Sequence, residues 1–209
     1  STDGMTLVYT SGLSKQIGFV DITDPSAPVG LGSLALDGEP TSVAVAGAYA
    51  LVAVNTSASF VAPTGKLVVV NIATRTVVAE LDLGGHPDSV AVSKDGRYAA
   101  VVIENERDES VNGGAIPQLP AGGLAIIDLV GAPTAWTRRN VDLTGIATLY
   151  GSDPEPEYVS INEDNIAVVT LQENNHIALV NLATGAVTGH FPAGSVTLDG
   201  VDLTDERPN

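Results

Sequence analysis

Between Ile103 and Gln118 the sequence reads IENERDESVNGGAIPQ. The apolar, β-favouring run YAAVVI opens there into Glu104, Glu106, Asp108 and Glu109, with Arg107 among them, and continues as a loop containing Gly and Pro. Two other stretches offer the same chemistry: DPEPE, with Asp153, Glu155 and Glu157, and QENN, with Gln172, Glu173 and Asn174. His86 and Asp88 stand in GGHPD, and Glu39 precedes Pro40. Carboxylate and amide oxygens are hard donors, and Ca²⁺ takes roughly six to eight of them. Carboxylates gathered without a counter-ion repel one another, which raises their pKa values or splays the loops. Neither an EF-hand pattern nor a glycine-rich nonapeptide repeat occurs, so a shared cation and a set of solvated loop acids are equally open readings of the residues alone.

Other chemistries are poorly served. The 209 residues include no cysteine, which removes disulfides, thiolate metal sites and cysteine nucleophiles. No GxSxG elbow, phosphate loop or HExxH occurs. The three histidines, His86, His176 and His190, lack the spacing of a zinc centre, and the last two fall where sheet residues are expected. Asp plus Glu outnumber Lys plus Arg by 25 to 9, for a net charge of −16, so a nucleic-acid backbone would be repelled. The apolar runs are strand-length, no membrane span is expected, and Ser1 begins without the features of a signal peptide, as in a mature or trimmed chain.

The elements that position these residues follow from a repeat of about fifty residues. EPTSVAVAGAYALVAV with KLVVVNIATRTVVAELDL, HPDSVAVSKDGRYAAVVI with GLAIIDLVGAPTAWTRRNVDL, and EPEYVSINEDNIAVVTL with HIALVNLATGAVTGHF align with one another. Each carries Pro, a Val-centred strand, a tight turn, a second strand, a loop, a third strand ending in Val/Ile-Asn/Asp-Leu/Ile, and a fourth strand. The unit is a four-stranded antiparallel meander, the signature of a β-propeller blade, whereas a β-sandwich would not be expected to repeat these motifs in one order. The expected fold is all-β, a β-propeller forming an incomplete ring. It comprises a partial blade over 6–38, blades over 39–84, 85–144 and 153–194, and 195–209 as the start of a further segment or a cleaved end. The remaining blades would then be absent or on a second chain.

Strand alternation places the loops. In each blade the loop between the second and third strands shares a face with the connection from the preceding blade. That face collects Glu39, His86, Asp88, Glu104, Asn105, Glu106, Asp108, Glu109, Asp153, Glu155, Glu157, Gln172, Glu173 and Asn174. Glu104 and Glu106 are expected to point to its centre, and Asp108 and Glu109 to be solvated. The opposite turns are shorter and carry Arg75, Asp95, Glu163 and Asp164. Trp136, Arg138 and Arg139 belong to the outer part of a blade, where edge packing accounts for them.

The segments IENERDE, PEPEYVSINEDNIAVVTLQENN and VDLTDE give the chain, from about Glu39 onward, a resemblance to bacterial phytase-like propellers described as "esterase-like activity of phytase". More loosely, it resembles surface-layer and YncE-type propellers. The first resemblance implies an exported protein, extracellular or periplasmic, and a calcium-dependent hydrolase of phosphate esters. In that reading Glu104, Glu106, Glu155, Glu157 and Glu173 ligate the metal, a metal-bound water attacks, and Asn105, His86, Gln172 and Arg107 contact the substrate. Of the loops on this face only Arg107 is clearly basic, so phosphate would need bound metal to bridge it to the carboxylates. The alternative is a noncatalytic extracellular propeller that binds a protein, glycan or surface polymer.

Overall fold

A computed structural model describes residues 1–200; the VDLTDE motif at 201–206 and the rest of the terminus lie outside the described residues. Fifteen strands form four antiparallel sheets, each a simple meander. The first sheet has three strands, β1 (Thr6–Ser11), β2 (Gln16–Asp21) and β3 (Val29–Ala35). The second comprises β4 (Glu39–Ala46), β5 (Tyr49–Asn55), β6 (Gly65–Asn71) and β7 (Thr76–Asp82). The third comprises β8 (Pro87–Val92), β9 (Tyr98–Ile103), β10 (Gly123–Asp128) and β11 (Thr137–Asp142), and the fourth β12 (Pro156–Ile161), β13 (Ile166–Leu171), β14 (His176–Asn181) and β15 (Ala186–Pro192).

The sheets stack face to face through three apolar cores. Ile17 and Phe19 of the first sheet meet Val52, Val68 and Val70 of the second. Leu51, Leu67 and Val69 of the second meet Val101 and Ile127 of the third. Val102, Leu124 and Ile126 of the third meet Val169, Leu171 and Val180 of the fourth. Sheets two and three are thus sandwiched, which is why β9, YAAVVI, is apolar and buried at every position instead of alternating. Each such side chain removed from water contributes on the order of 2 kcal/mol. Among the described residues no core joins the fourth sheet to the first. The arrangement is an incomplete β-propeller, an arc of blades in which β4 packs beside β8 and β8 beside β12 along the inner edge.

Polar contacts fasten one blade to the next. At the inner edge Thr41 Oγ1 donates to the Pro87 carbonyl at 2.9 Å, and the Val90 N–H donates to Ser42 Oγ at 3.2 Å. Farther out, Arg138 donates to the Asp82 carbonyl at 2.7 Å, and Arg139 grips Asp128 through two hydrogen bonds while also reaching the Leu182 carbonyl. Trp136 lies edge-on to Tyr49 at 6.0 Å, with its indole N–H on the Gly131 carbonyl, so this aromatic and its basic neighbours serve packing between blades. His176 is buried in the fourth sheet with its Nε2 3.0 Å from His190 Nδ1, and neither imidazole lines the acidic cavity.

Two glycines mark where the backbone of one blade passes under the next connection. A Cβ on Gly65 would stand 2.5 Å from the Gly85 carbonyl and 2.3 Å from the Pro87 ring. One on Gly122 would stand 2.5–2.6 Å from the carbonyls of Ile103, Pro154 and Glu104. Gly122→Ala should therefore lower stability by about 3 kcal/mol, a fall in Tm of about 10 °C in thermal unfolding. Gly30→Ala, whose added methyl meets nothing within 4 Å, should leave Tm within a degree or two, on the order of the usual surface effect.

Candidate functional site

Each four-stranded blade begins with the same local device. Pro40, Pro87 and Pro156 stand at the start of the innermost strands, where a residue without an N–H costs no ladder bond, and a β-bulge follows each. The residue before the proline is Glu39, His86 or Glu155, and the residue after it is Thr41, Asp88 or Glu157. Equivalent positions of successive repeats converge on the inner edge of the arc, so polar residues placed there must face one another.

Two buried asparagines fix the backbone of this step. Asn105 Oδ1 accepts the His86 N–H at 2.9 Å, and its Nδ2 donates to the carbonyls of Pro120 and Ala121. Asn174 does the same one blade later, accepting the Glu155 N–H at 3.0 Å and donating to the carbonyls of Leu149, Tyr150 and Asp153. The Glu104 N–H closes on the His86 carbonyl, and the Gln172 N–H on that of Glu155. Asn105 is only 4% exposed, and its polar atoms hold the loop from inside.

The long loop from Glu104 to Gly122 is latched onto the fourth blade. Gln118 and Asp108 exchange side-chain-to-backbone hydrogen bonds that close the loop on itself, and the Gln118 N–H donates to Asp153 Oδ2 at 2.9 Å. Arg107 forms an ion pair with Glu155 through its Nε, and its guanidinium lies 5.9 Å from the Tyr150 ring centre. Held in this way, the loop and the fourth blade enclose a cavity of about 520 Å³ lined by Glu104, Glu106, Glu109, Glu155, Glu157 and Glu173, with Arg107 as the one basic residue and Gly113 and Gly114 in its wall. Glu106 also borders a second cavity of about 460 Å³, with Glu39, Thr41, Asn55, Phe60 and His86.

At the centre the carboxylates press on one another. Burial, then the charges of Glu157, Asp88 and Glu106, push the Glu104 carboxyl up to about 8. Burial and then Glu157 raise Asp88 above the usual carboxylate range. Burial also raises Glu155, to about 7, against the opposing pull of Arg107. His86 is driven the other way by burial, which keeps its imidazole neutral and able to ligate, although Asp88 and Glu39 oppose the shift. Its Nδ1 lies 4.0 Å from Glu104 Oε2, and one ligand atom each from His86, Glu104 and Glu106 fall within 4.8 Å of one another.

The five glutamates expected as ligands, Glu104, Glu106, Glu155, Glu157 and Glu173, therefore all line one cavity. Within it Glu155 is already paired with Arg107; Glu104 and Glu106 converge with His86, which borders the second cavity, and the charges of Glu157 and Asp88 act on Glu104. Gln172 is exposed and borders neither cavity. Glu109, expected to be solvated, is exposed but forms part of the wall. Asp88 is absent from the expected ligand set, yet it occupies the same post-proline position as Glu157, a signal legible in the repeat. The latch of Gln118 on Asp153 has no such signal.

A carboxyl whose pKa is higher folded than unfolded disfavours the native state once it ionises. With Glu104 held at about 8, against 4.5 ordinarily, stability from this group is lost as pH rises between those values. In chelator-treated buffer Glu104→Gln should thus be neutral near pH 4 and raise stability by about 1–2 kcal/mol at pH 8, read from denaturant unfolding at both pH values.

Comparisons with known proteins bear on the family and the fold. No curated protein sequence matches the chain. Among solved structures, hydrazine synthase from Kuenenia stuttgartiensis superimposes with a TM-score of 0.62 at 14% identity, over 87% of this chain and 51% of that one. The β-propeller domain of Cps50 (Swd1) from Myceliophteria thermophila does so with a TM-score of 0.59 at 12% identity, over 91% and 57%. A protein of unknown function from Bacteroides caccae gives 0.53 at 14% identity, over 90% and 57%. These likenesses carry the fold alone, and the chain spans about half the length of the structures it matches. A family model for the Choice-of-anchor I domain matches residues 1–207. With nearly its whole length matched, and with the blades already described, the chain belongs to the Choice-of-anchor I domain family.

Proposed function

We propose that the chain is a noncatalytic propeller module of a surface or secreted protein, and that its acidic mouth binds a divalent cation, Ca²⁺, through which it engages a protein, glycan or surface polymer. The observation that carries this reading is the charge of the cavity. Six glutamates face a single arginine, and that arginine is already paired with Glu155. Such a site attracts cations and repels phosphates and other anions. Glu104, Glu106 and Glu157 are the ligands this reading assigns, with Asp88 beside them, and hard oxygen donors suit Ca²⁺. Membership of the Choice-of-anchor I family supports a surface or secreted setting. No helix among the described residues is long and apolar enough to cross a membrane.

The second reading is the phytase-like phosphoester hydrolase. Its support is Glu104, whose carboxyl at about 8 stands where a group could exchange a proton near neutral pH. Against it, Arg107 is drawn into the pair with Glu155, so metal would have to hold the phosphate. In the metal-ligand reading, saturating Ca²⁺ raises Tm by several degrees, on the order of 2–3 kcal/mol at 100 Kd, and the double substitution Glu104→Gln with Glu157→Gln abolishes the shift. Under the noncatalytic reading, p-nitrophenyl phosphate and inositol hexakisphosphate stay intact with or without Ca²⁺. Hydrolysis that chelation stops and Ca²⁺ restores would establish the second reading instead.

A further inference from the structure

The second cavity, of about 460 Å³, has a wall that the cation site does not use. It is the loop between β5 and β6, laced across its base. The Thr56 N–H donates to the Thr64 carbonyl at 3.0 Å, while Ser57 Oγ accepts the Thr64 N–H at 2.9 Å and donates to the Thr64 carbonyl at 3.1 Å. Asn55 Oδ1 accepts the Ser57 N–H at 2.9 Å, and the tip closes as a tight turn with the Ala62 N–H on the Ser59 carbonyl at 3.2 Å. The two central residues of that turn are Phe60 and Val61, 49% and 56% exposed. Phe60 lines the cavity and Val61 does not. An aromatic ring on a loop free to rearrange would leave water by packing on the sheet; the lacing holds this one at a cavity wall.

The polar groups that line the same cavity are of both kinds. Glu39 and Glu106 carry carboxylates with no hydrogen bond or ion pair to another described residue. Asn55 engages its oxygen, and its amide NH₂ has no acceptor among the described residues. His86, kept neutral by burial, offers one donor and one acceptor nitrogen. A ligand that matches this lining must give and accept hydrogen bonds and present an apolar face to the ring. A basic side chain has donors alone and leaves the Asn55 amide unmatched, and an anion is repelled by the two carboxylates. A neutral pyranose meets every requirement. Its hydroxyls donate to carboxylates and accept from amide and imidazole, and its C–H groups, slightly positive, lie on the negative face of an aromatic ring. The volume falls within the range of small-molecule sites, roughly 300–1,000 Å³.

We propose that this cavity is a saccharide subsite that takes a neutral pyranose of a surface glycan, with Phe60 as the stacking platform and Asn55, Glu39 and Glu106 as hydroxyl partners. The subsite rests on the noncatalytic reading above and narrows its partner from a protein, glycan or surface polymer to a neutral glycan. Glu106 borders both cavities, so a sugar held here lies beside the cation proposed for the first. Phe60, Asn55 and Glu39 stand outside that cation's ligand set, so the pyranose is held without Ca²⁺ as well.

Saturation-transfer NMR on the 209-residue chain, in Ca²⁺ and in chelator, tests this with the methyl glycosides of glucose, galactose, mannose and N-acetylglucosamine. At least one of these is expected to bind saturably in both buffers, with a Kd on the order of 1 mM for a single small ring. Phe60→Ala should weaken that binding by about tenfold or more. Asn55→Asp, which keeps an oxygen for the Ser57 N–H and removes the amide donor, should weaken it by about tenfold. Val61→Ala, on the same turn but outside the cavity, should leave it unchanged. Should Ca²⁺ itself fail to bind, the cation reading falls while sugar binding persists in both buffers. Binding confined to the Ca²⁺ buffer places the sugar on the cation and overturns the subsite as assigned. No binding of any of the glycosides overturns it too, as does binding that survives both Phe60→Ala and Asn55→Asp. Trilysine bound more tightly than every glycoside, and lost with Phe60→Ala, overturns it in favour of a basic protein segment.

Discussion

The structure depends on one backbone step, the X-Pro entry into each innermost strand. Proline at that point forgoes a hydrogen bond that an inner edge strand does not use, and the bulge after it turns the strand toward the axis of the arc. The step recurs in register, so its flanking side chains land beside their counterparts from the next blade. Residues that are separated by about fifty positions in sequence become neighbours in space. Glu39 and Thr41, His86 and Asp88, and Glu155 and Glu157 are brought to one mouth by this constraint alone.

Concentrating carboxylates in this manner opposes folding, and the surrounding contacts offset the strain. Asn105 and Asn174 each satisfy several backbone groups at once, leaving the entry steps little freedom to spread apart. Arg107 neutralises Glu155, and the Gln118–Asp153 hydrogen bond holds the long loop against the fourth blade. The cores between sheets contribute most of the stability, and Gly65 and Gly122 allow the close backbone approach that keeps those cores in line. What these contacts leave unpaired are the carboxyl groups of Glu104, Glu106, Glu157 and Asp88, and their crowding is the physical ground on which a cation site is proposed.

The blades were legible because turn residues and Val-rich runs repeat in fixed order, and because strand alternation dictates which loops share a face. The five glutamates could be assigned to one mouth by that reasoning without any coordinates. Asp88 could have joined them, since it matches Glu157 in the repeat. Other features were not legible, for physical reasons. The clamps of Asn105 and Asn174 depend on the path of the loops around them, not on spacing. The Arg107–Glu155 and Gln118–Asp153 contacts depend on how a loop of irregular backbone folds back, and no periodicity encodes that. Asn105, to which the family resemblance gives a substrate contact, is bonded through both side-chain polar atoms to the backbone of His86, Pro120 and Ala121, a role that spacing does not signal.

A cation shared by Glu104 and its neighbours, as proposed, must replace a proton. Calorimetric titration of the chelator-treated protein with Ca²⁺ at pH 7, repeated in buffers of different ionisation enthalpy, tests it most directly. Saturable binding is expected, accompanied by release of about one proton per ion, because Glu104 is largely protonated at that pH and must ionise to ligate. Absence of saturable binding, or binding with no proton released, would contradict it.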